Sequence, residues 1–196
     1  MIGDRIRTCR LNTVVLLPVT DDNSLNPFIT ERIGEITLNV RRYRDSDLPQ
    51  VLQLFYDTVH TVNARDYAVD QLEAWAPLEP DEKRWAGFMR ENISYVVERD
   101  QQILGFGDLT EKGYLHTLYV HKDYQGKGVA STLLETFEKE AAKLDVTTIT
   151  TEASITAKDF FELKGFKCVE KREKYLNGQV FVNYTMMKTL IPKSVK

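Results

Sequence analysis

The 196-residue chain is predicted to be α/β in the mixed, α+β sense: one domain with a mixed sheet and helices packed against it. Three observations lead there. Apolar residues alternate with polar ones from 36 to 43, and three short strand-like runs follow between 93 and 120. Elsewhere they recur every three or four residues, as on helices that bury one face. The dipeptide Asn177-Gly178 then joins two further runs, the strongest short hairpin signal available. The chain is 42% hydrophobic and 28% charged, which suits one ordinary globular core of this length.

The elements follow in order. Ile36, Leu38 and Val40 mark a strand over 36–43. Asp45 or Ser46 is expected to cap a helix carrying Leu48, Val51, Leu52, Leu54 and Phe55, which ends before Ala64. A short helix with Val69, Leu72 and Trp75 stops at Pro77, and another opening near Pro80-Asp81 presents Trp85, Phe88 and Met89. Strands over 93–98 and 103–109 flank the polar tetrad Arg99 to Gln102. Glu111-Lys112-Gly113 turns the chain into a third strand, 114–120, completing an antiparallel meander. A helix over 129–142 turns Val129, Leu133, Leu134 and Phe137 inward. A strand over 146–152 leads to a short helix that Thr156 opens and Gly165 stops. Two final strands, 166–175 and 179–188, meet at Asn177-Gly178.

The charge balance excludes some partners. Lys and Arg number 26 against 29 Asp and Glu, a net charge of −3, so no basic field argues for nucleic acid. A mildly acidic protein suits a small cationic partner better. Cys9 and Cys168 form neither a disulfide framework nor a metal-spaced cluster. With three scattered histidines, no metal is expected, and a reducing, cytoplasmic setting is the default. No apolar run approaches the roughly 18–20 residues of a membrane span. Residues 1–35 are expected to be a poorly ordered N-terminal extension. Arg5, Arg7 and Arg10 before the short run Val14 to Leu17 leave a targeting segment as one alternative, and a strand packed on the domain as another. The domain then spans 36–190, with a C-terminal tail over 191–196.

The most specific stretch is Tyr119-Val-His-Lys-Asp-Tyr-Gln-Gly-Lys-Gly-Val-Ala-Ser-Thr132. Two glycines flanking a lysine, between a strand and a helix N-terminus, form a setting for an anion such as a phosphate. The spacing of a P-loop is absent, and a dinucleotide fingerprint would need a third glycine where Ser131 stands. An ordinary strand-turn-helix glycine loop remains the plain alternative. Gln125-x-x-Gly128-x-Ala130 in this context resembles the acetyl-CoA pyrophosphate loop of the GNAT superfamily of N-acetyltransferases. Phe161-x-x-x-Gly165-Phe166 resembles that family's second signature, and the order of elements from about 36 to 190 matches as well.

The resemblance implies a mostly antiparallel sheet with splayed central strands flanked by helices. It also implies an acyltransferase that uses acetyl-CoA as cosubstrate, passing the acetyl group to a primary amine, small molecule or peptide terminus, by direct attack in a ternary complex. Backbone groups from Gln125 through Gly126, Lys127, Gly128, Val129 and Ala130 to Ser131 would hold the pyrophosphate, with Lys127 adding charge. Leu118, Tyr119 and Val120 would bond the pantetheine arm and polarise the thioester. Ser154 stands where relatives often have the Asn that fixes pantetheine, and Phe161 where many have the tyrosine taken as general acid.

Strand alternation predicts His116, Leu118 and Val120 on one face, with Leu115, Thr117 and Tyr119 on the other. His116 is the leading candidate base, as arylalkylamine acetyltransferases place a histidine here. Glu152 is the second and Asp108 the third. Tyr119 is the candidate proton donor in place of Phe161. Tyr56, His60, Tyr67, Trp75 and Trp85 are candidates for an acceptor wall, with core packing as the plainer role for the tryptophans. The resemblance also allows a homodimer, since strands at the domain's end commonly support dimers in this family. The rival reading, which Phe161 favours, is a CoA-binding module with little or no catalysis. A nucleotide-binding oxidoreductase is the third.

Overall fold

The structure is a computed structural model that describes residues 29–33 and 36–190. The expectations for 1–28 and for the tail 191–196 lie outside the described residues. Strand β1 (Ile29–Ile33) lies antiparallel to β2 (Ile36–Arg42), with Ile29 opposite Val40. Among the described residues the sheet thus reaches back to Ile29, inside the segment expected to be an extension.

After β2 a 3-10 turn, Asp45–Asp47, leads into α1 (Leu48–Thr61). The N-cap position falls to Asp47 rather than Asp45 or Ser46, and its carboxylate makes no cap bond. Instead it accepts the Arg41 guanidinium at 2.6 and 2.9 Å and the Arg44 N–H at 2.8 Å. Arg41 is buried and also donates to Glu98 at 2.7 Å. A buried guanidinium needs such partners more than a helix end needs a cap.

Helices α2 (Val69–Trp75) and α3 (Glu82–Glu91) follow, the latter capped by the Asp81 carboxylate. Strands β3 (Ile93–Arg99) and β4 (Gln102–Leu109) close a tight hairpin at Asp100-Gln101, both at positive φ. Next come β5 (Tyr114–Val120) and α4 (Val129–Lys143). Strand β6 (Thr148–Ser154) starts later than expected because Val146 still bonds back to Ala141 of the helix.

Helix α5 (Ile155–Leu163) begins directly after β6. Its cap is Ser154, whose Oγ accepts the Ala157 N–H at 3.1 Å; the expected opener, Thr156, donates to Asp66 at 2.6 Å. At its end the Gly165 N–H bonds the Glu162 carbonyl and the Phe166 N–H bonds that of Phe161, both at 3.0 Å. The Phe161 and Phe166 rings meet 5.1 Å apart, the hydrophobic contact that accompanies this cap. Strands β7 (Lys167–Leu176) and β8 (Gln179–Thr189) complete the sheet, turning at Asn177-Gly178.

The strand order is β1-β2-β3-β4-β5-β6-β8-β7. Among the described residues every neighbouring pair is antiparallel except β5–β6. This is the mixed, mostly antiparallel sheet that the sequence predicts. Helices α4 and α5 cover one face over a core containing Leu104, Leu115, Leu133, Phe137, Ile149 and Met186. Helices α1 to α3 cover the other over Phe55, Val59, Met89, Val96 and Phe106. Burying each such side chain contributes roughly 1.5–3 kcal/mol, which fixes β5 firmly between two packed layers.

Candidate functional site

The site begins where the only parallel seam among the described residues fails. β5 and β6 are paired at Tyr114–Thr150 and Leu115–Thr151, reinforced by Thr150 N–H to the Gly113 carbonyl and Thr151 Oγ1 to the Leu115 carbonyl, both 2.9 Å. Beyond Leu115 no pair joins them. On its other edge β5 stays paired with β4 through Val120, and the His121 N–H reaches the Leu104 carbonyl at 2.8 Å. Antiparallel alternation turns Thr117, Tyr119 and His121 toward β4, which leaves Leu118 and Val120 with main-chain groups facing the gap. The Val120 carbonyl is taken by Thr58 Oγ1 at 2.9 Å and Gln125 Nε2 at 2.6 Å.

A cavity of about 480 Å³ occupies the gap and continues to the N-terminus of α4. Gly126 and Gly128 adopt φ of +68° and +84°, a region that costs other residues about 1–2 kcal/mol. The first-turn amides of a helix have no intrahelical acceptor, so those of Val129, Ala130 and Ser131 point outward at the dipole's positive end. All three residues line the cavity. Among the described residues no Lys or Arg side chain does. The Lys127 ammonium is bonded to the Asp123 carbonyl at 2.7 Å and sits 4.6 Å from the Tyr124 ring centre, turned back on its own loop. Among the described residues, the charge offered to an anion here comes from main-chain dipoles.

Ser154 and Phe161 also line the cavity. The Ser154 hydroxyl caps α5, while Phe161 is buried among Phe160 and Phe166. The hydroxyl of Tyr67 accepts the Ile155 N–H at 3.0 Å, tying the loop before α2 to the start of α5.

On the α1–α3 face, strand alternation fails as a guide. Asp108 pairs with Thr117 but Leu109 pairs with Leu115, so β5 carries one extra residue, His116, in a bulge. Leu115 therefore joins Leu118 and Val120 in the α4-side core, whereas His116 stands with Thr117 and Tyr119. The grouping expected from a regular strand is thus corrected at Leu115 and His116.

His116 Nδ1 lies 3.1 Å from Asp108 Oδ2, and its ring meets the Phe88 ring edge-on at 4.7 Å. The Asp108 carboxylate also accepts from Asn92 Nδ2 at 2.6 Å and from Thr117 Oγ1. The other histidines are engaged: His60 Nε2 with the Ala76 carbonyl, His121 Nδ1 with the Asp123 N–H.

Glu152 reaches the same cavity from β6, with Oε2 3.1 Å from Lys174 Nζ. Tyr119 accepts the Trp75 Nε1–H at 3.2 Å, and its ring is stacked on Phe106 and edge-on to Phe55. Burial holds its phenol well above the ordinary tyrosine range, with the Trp75 bond only partly offsetting it. Trp75 thus packs in the core and lines the cavity, while Trp85 packs between Phe55 and Phe88. Thr58, Asn63 and Asn92 are site residues that no local pattern marks. Among the described residues no group of three or more His, Cys, Asp or Glu could hold a metal ion, and no helix is long and apolar enough to cross a membrane.

The family model of the acetyltransferase (GNAT) domain matches residues 63–188. Over 149 residues the chain is 33% identical to the uncharacterized N-acetyltransferase YafP of Escherichia coli K12, covering 76% of this chain and 94% of that one. A GCN5-related N-acetyltransferase structure from Rhodopseudomonas palustris is similar with a TM-score of 0.75 at 28% identity, over 83% of this chain and 98% of that one. The PaiA N-acetyltransferase from Thermoplasma acidophilum, solved in complex with coenzyme A, has a TM-score of 0.67 at 18% identity, over 79% and 99%. At that identity the likeness is one of fold.

Proposed function

The chain belongs to the GNAT family of N-acetyltransferases, which are acyltransferases, and we propose that it transfers the acetyl group of acetyl-CoA to a primary amine with both bound at once. The observation that carries this is the seam between β5 and β6, which opens directly beside the glycine loop at the α4 N-terminus. The cradle fits the group: positive-φ glycines leave room for phosphates, outward amides supply donors, and a strand-wide gap offers main-chain partners to an extended arm.

Acetyl-CoA, when bound, supplies an acetyl thioester and a pyrophosphate. The amides from Gly126 to Ser131 hold the pyrophosphate. The main-chain groups of Leu118 and Val120 hold the arm, and one of these N–H groups polarises the thioester carbonyl. His116 Nε2 takes the proton from the attacking amine. The C–N bond forms, the C–S bond breaks with its electron pair going to sulfur, and the proton passes from His116 to the thiolate. Glu152, whose carboxylate is paired with Lys174, is the second candidate base. Tyr119 is the remaining candidate donor. A phenol held so high gives up its proton reluctantly, so His116 serves both steps better.

Calorimetric titration with acetyl-CoA, with NADH as the control, tests the binding half. Acetyl-CoA should bind near one per chain and NADH should not. Folded protein that binds no acetyl-CoA overturns the proposal. Thiol release with phenethylamine, putrescine and an alanyl tripeptide then tests catalysis. Phe161, which has no proton to give, favours the second reading, a CoA-binding module without turnover. Binding without thiol release from any amine class would decide for that reading.

A further inference from the structure

We propose that Asp108 is a positioning residue for His116: it fixes the imidazole's tautomer and ring, and stabilises the charge His116 gains on taking a proton. This rests on the reading of His116 as the base. A carboxylate only accepts hydrogen bonds, so a bond to Asp108 Oδ2 requires the ring proton on Nδ1. The lone pair then stands on Nε2, the nitrogen turned away from Asp108. The His116 side chain is 37% exposed while that of Asp108 is 0% exposed, so the base edge is reachable and its orienter is shielded.

The surroundings of Asp108 point the same way. Its other partners, Asn92 and Thr117, are neutral donors, and no Lys or Arg side chain is paired with it among the described residues. A fully buried carboxylate without a permanent cation gains most from a neighbour that becomes one, which an imidazole does on protonation. Asn92 and Thr117 hold the two oxygens in place, and Phe88 holds the ring edge-on.

The bulge explains how one carboxylate serves both β5 residues. With one residue fewer, His116 would fall on the α4-side face where Leu115 and Leu118 pack. Bulges beside active sites re-aim a side chain in this way. The titratable groups around His116 are Asp108 on β4, Tyr114 on its own strand with ring centres 6.1 Å apart, and Glu152 on β6, which lines the same cavity. From α3 the contact is Phe88, which does not titrate.

The tautomer can be read in wild-type protein by ¹⁵N NMR of the histidine rings, with the His116 signals identified by their loss in His116→Gln. A proton on Nδ1 and a lone pair on Nε2 are expected; a proton on Nε2 in the neutral ring overturns the proposal. For turnover, Asp108→Asn is compared with wild type using acetyl-CoA and the panel amine consumed fastest. An amide can donate to Nδ1 and so select the wrong tautomer. The variant should lose about 10²-fold in kcat with KM for acetyl-CoA unchanged. Removing the anion also disfavours the imidazolium, so the acidic limb of the pH–rate profile should move to lower pH. Adding His116→Ala to Asp108→Asn should cost nothing further, since the pair acts as a unit. Unchanged kcat and acidic limb in Asp108→Asn, while His116→Ala is impaired, overturns the positioning role alone. A silent His116→Ala overturns the base reading beneath it. Should Asp108→Asn fail to fold, the wild-type tautomer still decides.

Discussion

Strand β5 meets its two neighbours on opposite terms. Toward β4 it is paired from Leu115 to Val120, and the approach is so close that two glycines are needed opposite it. A Cβ on Gly107 would lie 2.7 Å from the Thr117 carbonyl oxygen and 3.0 Å from the Phe137 ring. Toward β6 it is paired at Tyr114 and Leu115 and then at nothing further. Leaving a main-chain amide without a partner in a buried place costs roughly 1–3 kcal/mol, and proteins seldom do so in the middle of a sheet. The closed edge is what makes the open one tolerable: β5 cannot slide or twist to satisfy its free groups while β4 and both cores hold it. One strand thus serves as scaffold along one side and as binding surface along the other.

The largest expected effect comes from filling the open side. In Gly128→Glu a β-carbon is forced into a positive-φ position, and a carboxylate stands where the amides face an anion. Acetyl-CoA affinity should fall by at least about 10³-fold, on the order of 4 kcal/mol, read by calorimetry. Circular dichroism should show the fold retained; intact binding would mean that the glycine loop does not hold the pyrophosphate. Next in size is damage to the closed side. Phe137 is fully buried beneath β4 and β5, and Phe137→Ala should cost about 3–5 kcal/mol in urea unfolding. Acetyl-CoA affinity should suffer in that variant only as far as the folded fraction falls. A specific loss of affinity would show that the two edges are not separable.

The difference between the edges also governs how much could be read in advance. The glycine loop, the helix after it and the Asn177-Gly178 turn were legible because their causes are local: residue types at fixed spacing set the backbone there. The bulge was not, because it exists only in relation to β4. Nothing within Tyr114 to Val120 says that Asp108 will pair with Thr117 while Leu109 pairs with Leu115. Strand period alone therefore put His116 with Leu118, and the Asp108–His116–Asn92 cluster stayed hidden. Lys127 and Ser154 illustrate a second limit. Their types suit phosphate and pantetheine, but the Asp123 carbonyl and Tyr124 ring hold the first, and the start of α5 engages the second. Sequence reveals what a side chain can bond, whereas the fold decides what reaches it first.

A smaller effect tests whether the chemistry can be removed while cosubstrate binding is kept. His116 lines the cavity from the bulge, where it packs against Phe88 and Asp108 and is no part of the glycine loop. His116→Ala should lower kcat about 10²-fold, or roughly 3 kcal/mol in activation free energy, with acetyl-CoA affinity unchanged by calorimetry. A parallel loss of affinity would place the ring in the cosubstrate's binding surface instead.

The smallest effect concerns α4, which serves both sides: its first turn faces the open gap, while its last turn is tied to β2 and β3. There Glu140 meets Lys143 at 2.7 Å, Arg42 at 3.3 Å and the Tyr95 hydroxyl at 3.2 Å. Burial alone would raise its carboxyl, but Lys143, Arg42 and Tyr95 together bring it below the ordinary glutamate value. A folded-state value below the unfolded one means stability that is fully present above the unfolded value, near 4.3, and lost as pH falls through the folded one. Glu140→Gln should therefore melt earlier than wild type at pH 7, by no more than about 1 kcal/mol because Lys143 and Arg42 are exposed. The gap should close as both proteins are taken down to about pH 3. Acetyl-CoA affinity should not change at pH 7, since the far end of α4 bears on the closed sheet. A melting gap constant across that range would show that the charge on Glu140 contributes nothing to anchoring the helix.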